Sequence, residues 1–296
     1  MLQLYWRAIR PKTLVAVIGP VLLANALAYQ KPTFDLIIFL LTLACALCLQ
    51  IAVNLANDVF DAEAGVDSAN RLGPQRMVQS GLLPASKVKG LTYTMTSFAI
   101  IFGLILVYHG GIVFLVLGVL AIAGVYSYSA GPYPLASHGL GELAVFIFFG
   151  LIAVIGSYYL QTFQVNSSII IYACSCGLYS AAIMLVNNIR DIETDALANK
   201  MTLAVKLGTR LSKKLYQGLL CLALVLHFIA TMFLPLNSMT SELLLVLPLL
   251  ICMPLTLVLS RQISTVQGKA LNATLERTAQ LGFIYALTNA ILLFIG

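Results

Sequence analysis

Residues 36–61, LIIFLLTLACALCLQIAVNLANDVFD, decide the fold. The first eighteen of them carry no charge, glycine or proline, and only Thr42 and Gln50 interrupt the apolar text. A helix rises about 1.5 Å per residue, so about 20 such residues cross the roughly 30 Å hydrocarbon core of a bilayer. The run then passes without a break into Asn54, Asn57, Asp58 and Asp61, so an amide and carboxylate cluster closes a membrane span.

Working outward, the same pattern recurs along the chain. Apolar residues make up 60% of the 296 residues and charged ones 9%, with mean hydropathy +0.95, a balance that points to a membrane protein. Nine runs of spanning length are predicted, at 13–29, 36–53, 91–108, 112–129, 143–160, 169–186, 215–234, 243–259 and 281–295. The expected fold class is therefore all-α, a polytopic membrane protein of about nine transmembrane helices in a single domain over 1–296. The first run, after Arg7, Arg10 and Lys12 and containing Ala24, Ala26 and Ala28, also has features of a signal peptide; a span is the favoured reading.

Nine spans with a cytoplasmic N-terminus put 16 of the 17 Lys and Arg residues on the inner side and only Lys31 outside. That asymmetry fits the positive-inside rule and predicts a multi-pass protein of the cell inner membrane. It also accounts for the net charge of +6 without a nucleic-acid partner. Cys45, Cys48, Cys174 and Cys176 lie inside predicted spans and read as small apolar fillers. His109, His138 and His227 show no metal-ligand spacing.

The connections predicted outside are short, whereas those inside are longer and hold nearly all the polar chemistry. Asn57 and Asp61 recur as Asn187 and Asp191, both NxxxD, 130 residues apart (187 minus 57). Four spans intervene, so the two copies point the same way and suggest parallel pseudo-repeats over about 1–130 and 131–296. Residues four apart on a helix lie within about 40° of one another, which groups Asn57 with Asp61 and Asn187 with Asp191 and Asp195. A carboxylate near the bilayer centre costs about 2.5–3.5 kcal/mol on insertion scales, and crowded like charges add to that. Divalent cations remove both costs, and Mg²⁺ characteristically combines one or two carboxylates with water and phosphate oxygens. Two facing Asp motifs thus suit a diphosphate held between Mg²⁺ ions.

Nearby basic residues fit an anion. Arg71, Arg76, Arg190 and Lys200 are candidates for phosphate oxygens, although the positive-inside rule alone also explains inner-loop cations. Tyr128, in 126–134, either walls an aromatic acceptor or anchors the membrane interface. Glu142, before the fifth span, serves as a base or polar contact, or is simply favoured by the helix dipole.

These residues resemble the UbiA superfamily of intramembrane prenyltransferases over essentially the whole chain. The superfamily's first motif, NDxxDxxxD, appears at 57–61, but its last Asp is Gly65 here, with Asp67 two positions on. The second, DxxxD preceded by Asn and Arg, is intact as Asn187, Arg190, Asp191 and Asp195. The stretches 10–14, 54–58, 65–67, 71–76, 140–142 and 200–208 look most like the branch that prenylates 1,4-dihydroxy-2-naphthoate, and less like the 4-hydroxybenzoate branch. The resemblance implies a prenyl diphosphate donor, an aromatic acceptor and Mg²⁺ in an active site open to the cytoplasm. It assigns catalysis to Asp58, Asp61, Asp191 and Asp195, and metal binding to those four with Asp67. Asn54, Asn57, Arg71, Arg76, Tyr128, Glu142, Asn187, Arg190 and Lys200 become the substrate contacts. A cation or solute transporter is the rival from another class; such proteins bind near the membrane midplane and often use inverted repeats.

Overall fold

The computed structural model describes residues 2–29, 31–65, 72–233 and 239–295. Its long helix α3 (Leu36–Glu63) shows how the sequence sets an element. The Asp35 carboxylate caps the start by accepting the Ile37 and Ile38 amides at 2.7 and 3.3 Å. No helix breaker follows until Gly65, whose φ of 67° ends the helix in the left-handed conformation that only glycine adopts without penalty. Gly65, the departure from the resembled motif, is thus the residue that follows the end of α3 in the left-handed region.

Before it come a short amphipathic helix α1 (Leu2–Ile9) and α2 (Pro11–Ala28); after it α4 (Ala85–Gly110) and α5 (Ile112–Ser127). One span then combines α6 (Gly141–Val145), a wider i→i+5 segment (Phe146–Ile155) and α7 (Gly156–Thr162). The rest is α8 (Ser167–Arg190), a single short α9 (Ile192–Leu197), α10 (Leu203–Met232), α11 (Met239–Thr265) and α12 (Leu271–Ile295).

Among the described residues, each of the nine predicted spans falls largely on a helix. Eight are long and apolar enough to cross a membrane, and the ninth, Ile112–Ser127, is shorter. Large apolar side chains face outward on α4 and α5, among them Ile101, Leu104, Val116 and Val119, as lipid requires and water would penalise. The chain is a multi-pass membrane protein. At the polar end of the bundle α12 starts at Leu271, well before the predicted 281, and α10 begins with a short helical segment from Leu203 that is broken at Gly208 (φ 72°, ψ 166°) before the long helix that holds the predicted span.

The most buried span is α8, which packs against α10, α12 and the wide segment. Close approach there depends on two glycines: a Cβ on Gly150 would lie 2.5 Å from the Gly177 Cα. A second cluster, of Ala8, Leu55, Val59, Met77, Leu83 and Val88, holds α1 and the loop after α3 against the inner part of the bundle. The first run is no loose leader: Val21, Leu23, Ala24 and Ala28 of α2 are buried, and the helix packs along α12.

Candidate active site

The ends of α3 and α8 meet through the loop that follows α3. A Cβ on Gly73 would fall 2.6 Å from Arg190 Nη2, so this loop rests on the guanidinium of the second motif. The Leu72 carbonyl accepts Asn272 Nδ2–H at 2.9 Å, and Asn272 Oδ1 in turn accepts from Arg190 Nη1 at 2.8 Å. Sequence spacing brought the two motifs to one side; this contact makes them one site.

In the first motif, Asp61 Oδ2 accepts Arg76 Nη2–H at 2.8 Å, and both side chains are buried. Asn57 Oδ1 accepts the Ser129 hydroxyl at 2.7 Å. Asn54 Nδ2 donates to the Ile9 carbonyl and to Thr13 Oγ1, pinning the α1–α2 corner where Arg10 takes a left-handed φ of 56°. Asp58 differs from the metal-ligand expectation. Its two oxygens accept the Met77 and Val78 amides at 3.0 and 3.1 Å, and it is 1% exposed. It turns inward to hold the loop, because it lies about 100° round the helix from Asn57. Asp67 and Arg71 lie outside the described residues.

The second motif departs from a continuous helix. Helix α8 ends at Arg190, and Asp191 takes φ −101° and ψ 10° before α9 begins. Arg190 grips Asp191 bidentately, Nε to Oδ1 at 2.8 Å and Nη2 to Oδ2 at 2.5 Å, and its Nη2 also donates to Asn187 Oδ1 at 2.8 Å. That grip draws the Asp191 side chain back along the helix, and the backbone opens there. The expected common face of Asn187, Asp191 and Asp195 thus becomes a turn, although the Asp195 amide still reaches the Asp191 carbonyl at 2.8 Å. Lys200 Nζ approaches Asp195 Oδ1 at 3.9 Å.

Between the motifs stand Tyr128, Glu142 and Asn188. Glu142 Oε1 accepts Asn188 Nδ2–H at 2.9 Å, whereas Oε2 is buried with no partner among the described residues. Tyr128 donates to Met184 Sδ at 3.2 Å. Its phenol lies within electrostatic reach of Glu142, Asp61, Arg76 and Asp195, groups from both motifs.

From this polar end an apolar cavity of about 270 Å³ runs into the bundle between α3, α5 and the α6–α7 span. Asn54, Asn57, Tyr128 and Met184 line its mouth. Of the residues the sequence singled out, Asn57, Asp61, Asn187, Arg190 and Asp191 come together here, joined by Asn188, Asn272 and Ser129, which it did not single out. Asn188 adjoins a motif; Asn272 carries no local signal, being a lone amide far along the chain.

The chain has relatives among known proteins. Residues 17–284 match the UbiA prenyltransferase family. A 1,4-dihydroxy-2-naphthoate octaprenyltransferase of Mycobacterium tuberculosis is 41% identical over 228 residues, 76% of this chain and 77% of that one. Its counterpart in Haemophilus influenzae is 38% identical over 218 residues, 70% of each chain. A UbiA homolog from Archaeoglobus fulgidus, solved bound to DMAPP and Mg²⁺, matches with a TM-score of 0.71 at 14% identity, over 99% of both chains. That homolog has also been solved with GPP and Mg²⁺ and with Cd²⁺. The chain belongs to the UbiA prenyltransferase family and is a prenyltransferase enzyme.

Proposed function

We propose that the enzyme transfers a polyprenyl group from its diphosphate to 1,4-dihydroxy-2-naphthoate. The bond from prenyl C1 to the diphosphate oxygen breaks, a bond from C1 to the acceptor ring forms, and the ring carboxylate leaves as carbon dioxide. The observation that carries this reading is the junction of a long apolar cavity with a polar end built from two Asp motifs. The naphthoate acceptor is supported by the relatives from Mycobacterium and Haemophilus.

The donor set fits Mg²⁺. Among the described residues no three His, Cys, Asp or Glu side chains form a ready cage, but Mg²⁺ needs only one or two carboxylates when phosphate supplies the rest. Asp61, Asp191 and Asp195 would hold it, each beside a base: Arg76, Arg190 and Lys200. Three negative and three positive groups together suit a metal-neutralised diphosphate better than a bare anion. Bound Mg²⁺ would neutralise the leaving diphosphate. Arg190, Arg76 and Lys200 would orient phosphate oxygens, the two guanidiniums through paired N–H groups and the ammonium as a point charge. Asp58 would act as a positioning residue, holding the loop that carries Arg76. Glu142 Oε2 would accept an acceptor hydroxyl and place the ring beside C1, and the apolar walls would keep water from the developing allylic cation.

Membranes containing the protein, supplied with 1,4-dihydroxy-2-naphthoate, a polyprenyl diphosphate and Mg²⁺, should yield prenylated naphthoquinol, and EDTA should abolish it. Absence of product, or preferential prenylation of 4-hydroxybenzoate in the same assay, would defeat the acceptor assignment. The basic residues cluster at the polar end, from which we infer a cytoplasmic site and N-terminus in the inner membrane. In a cysteine-free background, Lys31→Cys should react with an impermeant maleimide in intact cells and Lys214→Cys should not; the reverse pattern would invert the topology.

A further inference from the structure

The lining of the cavity can be ordered by depth. Along α3 the wall runs from Asn57 at the mouth to Thr42, and along α5 from Tyr128 just past its end to Phe114. At about 1.5 Å per residue these walls are about 21–22 Å long. At the far end the Phe114 ring lies across two glycines: a Cβ on Gly110 would meet its Cδ2 at 2.5 Å, and one on Gly156 its Cε1 at 3.7 Å. Ile38, Leu106 and Leu160 complete an apolar plug around it. The plug is fixed from outside, since His109 Nε2 bonds the Leu160 carbonyl at 2.8 Å and the Gln161 amide bridges Asn25 and the Asp35 backbone. Two hydroxyls lie there: Thr42 spends its proton on the Ile38 carbonyl at 2.7 Å, whereas the Ser157 Oγ is buried with no partner among the described residues.

Gly118 lies one helical turn nearer the mouth, about 15 Å from Tyr128 along α5. It lines the cavity, and an added Cβ would meet nothing within 4 Å. A larger side chain at 118 therefore enters open cavity without disturbing helix packing.

We infer that Phe114 is the floor of the prenyl channel and sets how many isoprene units are held straight behind the diphosphate, with Gly118 keeping the channel open at mid-depth. This rests on the reading above that the cavity receives the donor's tail. Each unit that fits between mouth and floor buries apolar surface and strengthens binding. Units beyond the floor must turn aside and gain none of that. Affinity plotted against tail length should rise and then break at a length fixed by Phe114.

The test uses inert prenyl S-thiolodiphosphates from geranyl upward with Mg²⁺ and no acceptor, read as thermal stabilisation of the purified protein. Below the break each added unit should strengthen apparent binding by roughly tenfold. Gly118→Leu should move the break to a shorter tail, Phe114→Ala to a longer one, and Leu115→Ala, on the exposed face of α5, should leave it in place. Phe114→Ala removes packing, so Gly118→Leu, which adds to open space, is the arm that does not depend on surviving a cavity. An unchanged break in Gly118→Leu, an equal loss at every tail length, or no stabilisation by any analogue would overturn the assignment. Because no acceptor is present, a shifted break combined with no turnover of 1,4-dihydroxy-2-naphthoate would leave the channel floor standing and remove only the acceptor reading.

Discussion

Asp191→Asn is expected to lower turnover by about 10³-fold, the scale seen when one preorganised electrostatic contact to a developing charge is removed. Asp191 is the point where both chemistries of the site meet. Its carboxylate is gripped bidentately by Arg190, which also binds Asn187 and Asn272 and supports Gly73 of the opposite loop. Asn at 191 is nearly isosteric and keeps one acceptor for Arg190, so the bundle should remain folded. It removes the negative charge needed at a divalent cation. Asp191→Ala is a different experiment: it deprives a buried guanidinium of its carboxylate, a loss worth about 3–5 kcal/mol for buried pairs. The two variants separate chemistry from folding. Asp191→Asn should show a melting temperature near that of the parent with almost no product, while Asp191→Ala should lose both. Product formation by Asp191→Asn within tenfold of the parent, at saturating donor and Mg²⁺, would remove Asp191 from the metal site.

What could be read in the sequence divides along physical lines. The α3 span was legible because its signal is local: an uninterrupted apolar run after Asp35, whose carboxylate caps the helix. The early start of α12 and the separate segment ahead of Gly208 in α10 were not, because hydropathy marks where a helix leaves lipid and not where its hydrogen bonds end. The wide turn of Phe146–Ile155 was equally hidden, since an apolar run reads the same under i→i+4 or i→i+5 bonding. At the site, Asn57, Asp61 and Asn187 could be grouped from a spacing of four. The break at Asp191 could not, because residues 187–197 are compatible with one helix and only the Arg190 grip decides otherwise. Asn272 enters from α12, 82 positions beyond Arg190, and no local pattern announces such a partner. Gly65 could be seen as a departure from the superfamily motif, but its positive φ is a property of the folded chain.

Asp58→Ala is expected to reduce kcat/KM for the diphosphate donor by about 10²-fold through displacement of Arg76, the scale of losing a group that orients a functional shell. Both Asp58 oxygens hold backbone amides, at Met77 and Val78, directly after Arg76. Without them the loop loses two charge-assisted hydrogen bonds at a buried position, worth about 1.5–3 kcal/mol each. Arg76 would then lose its fixed approach to Asp61. Asp58→Asn retains one strong acceptor and should recover much of the activity, whereas a metal ligand would not be rescued by an uncharged amide. The Mg²⁺ dependence separates the roles further. A positioning role leaves the half-saturating Mg²⁺ concentration of Asp58→Asn close to the parent's, with the loss appearing in the KM for the diphosphate donor. A metal-ligand role raises the Mg²⁺ requirement at least tenfold in both variants. Titrating Mg²⁺ at saturating donor therefore decides between the role expected from the motif and the role indicated by the amide contacts, and a tenfold rise in Asp58→Asn would return Asp58 to the metal.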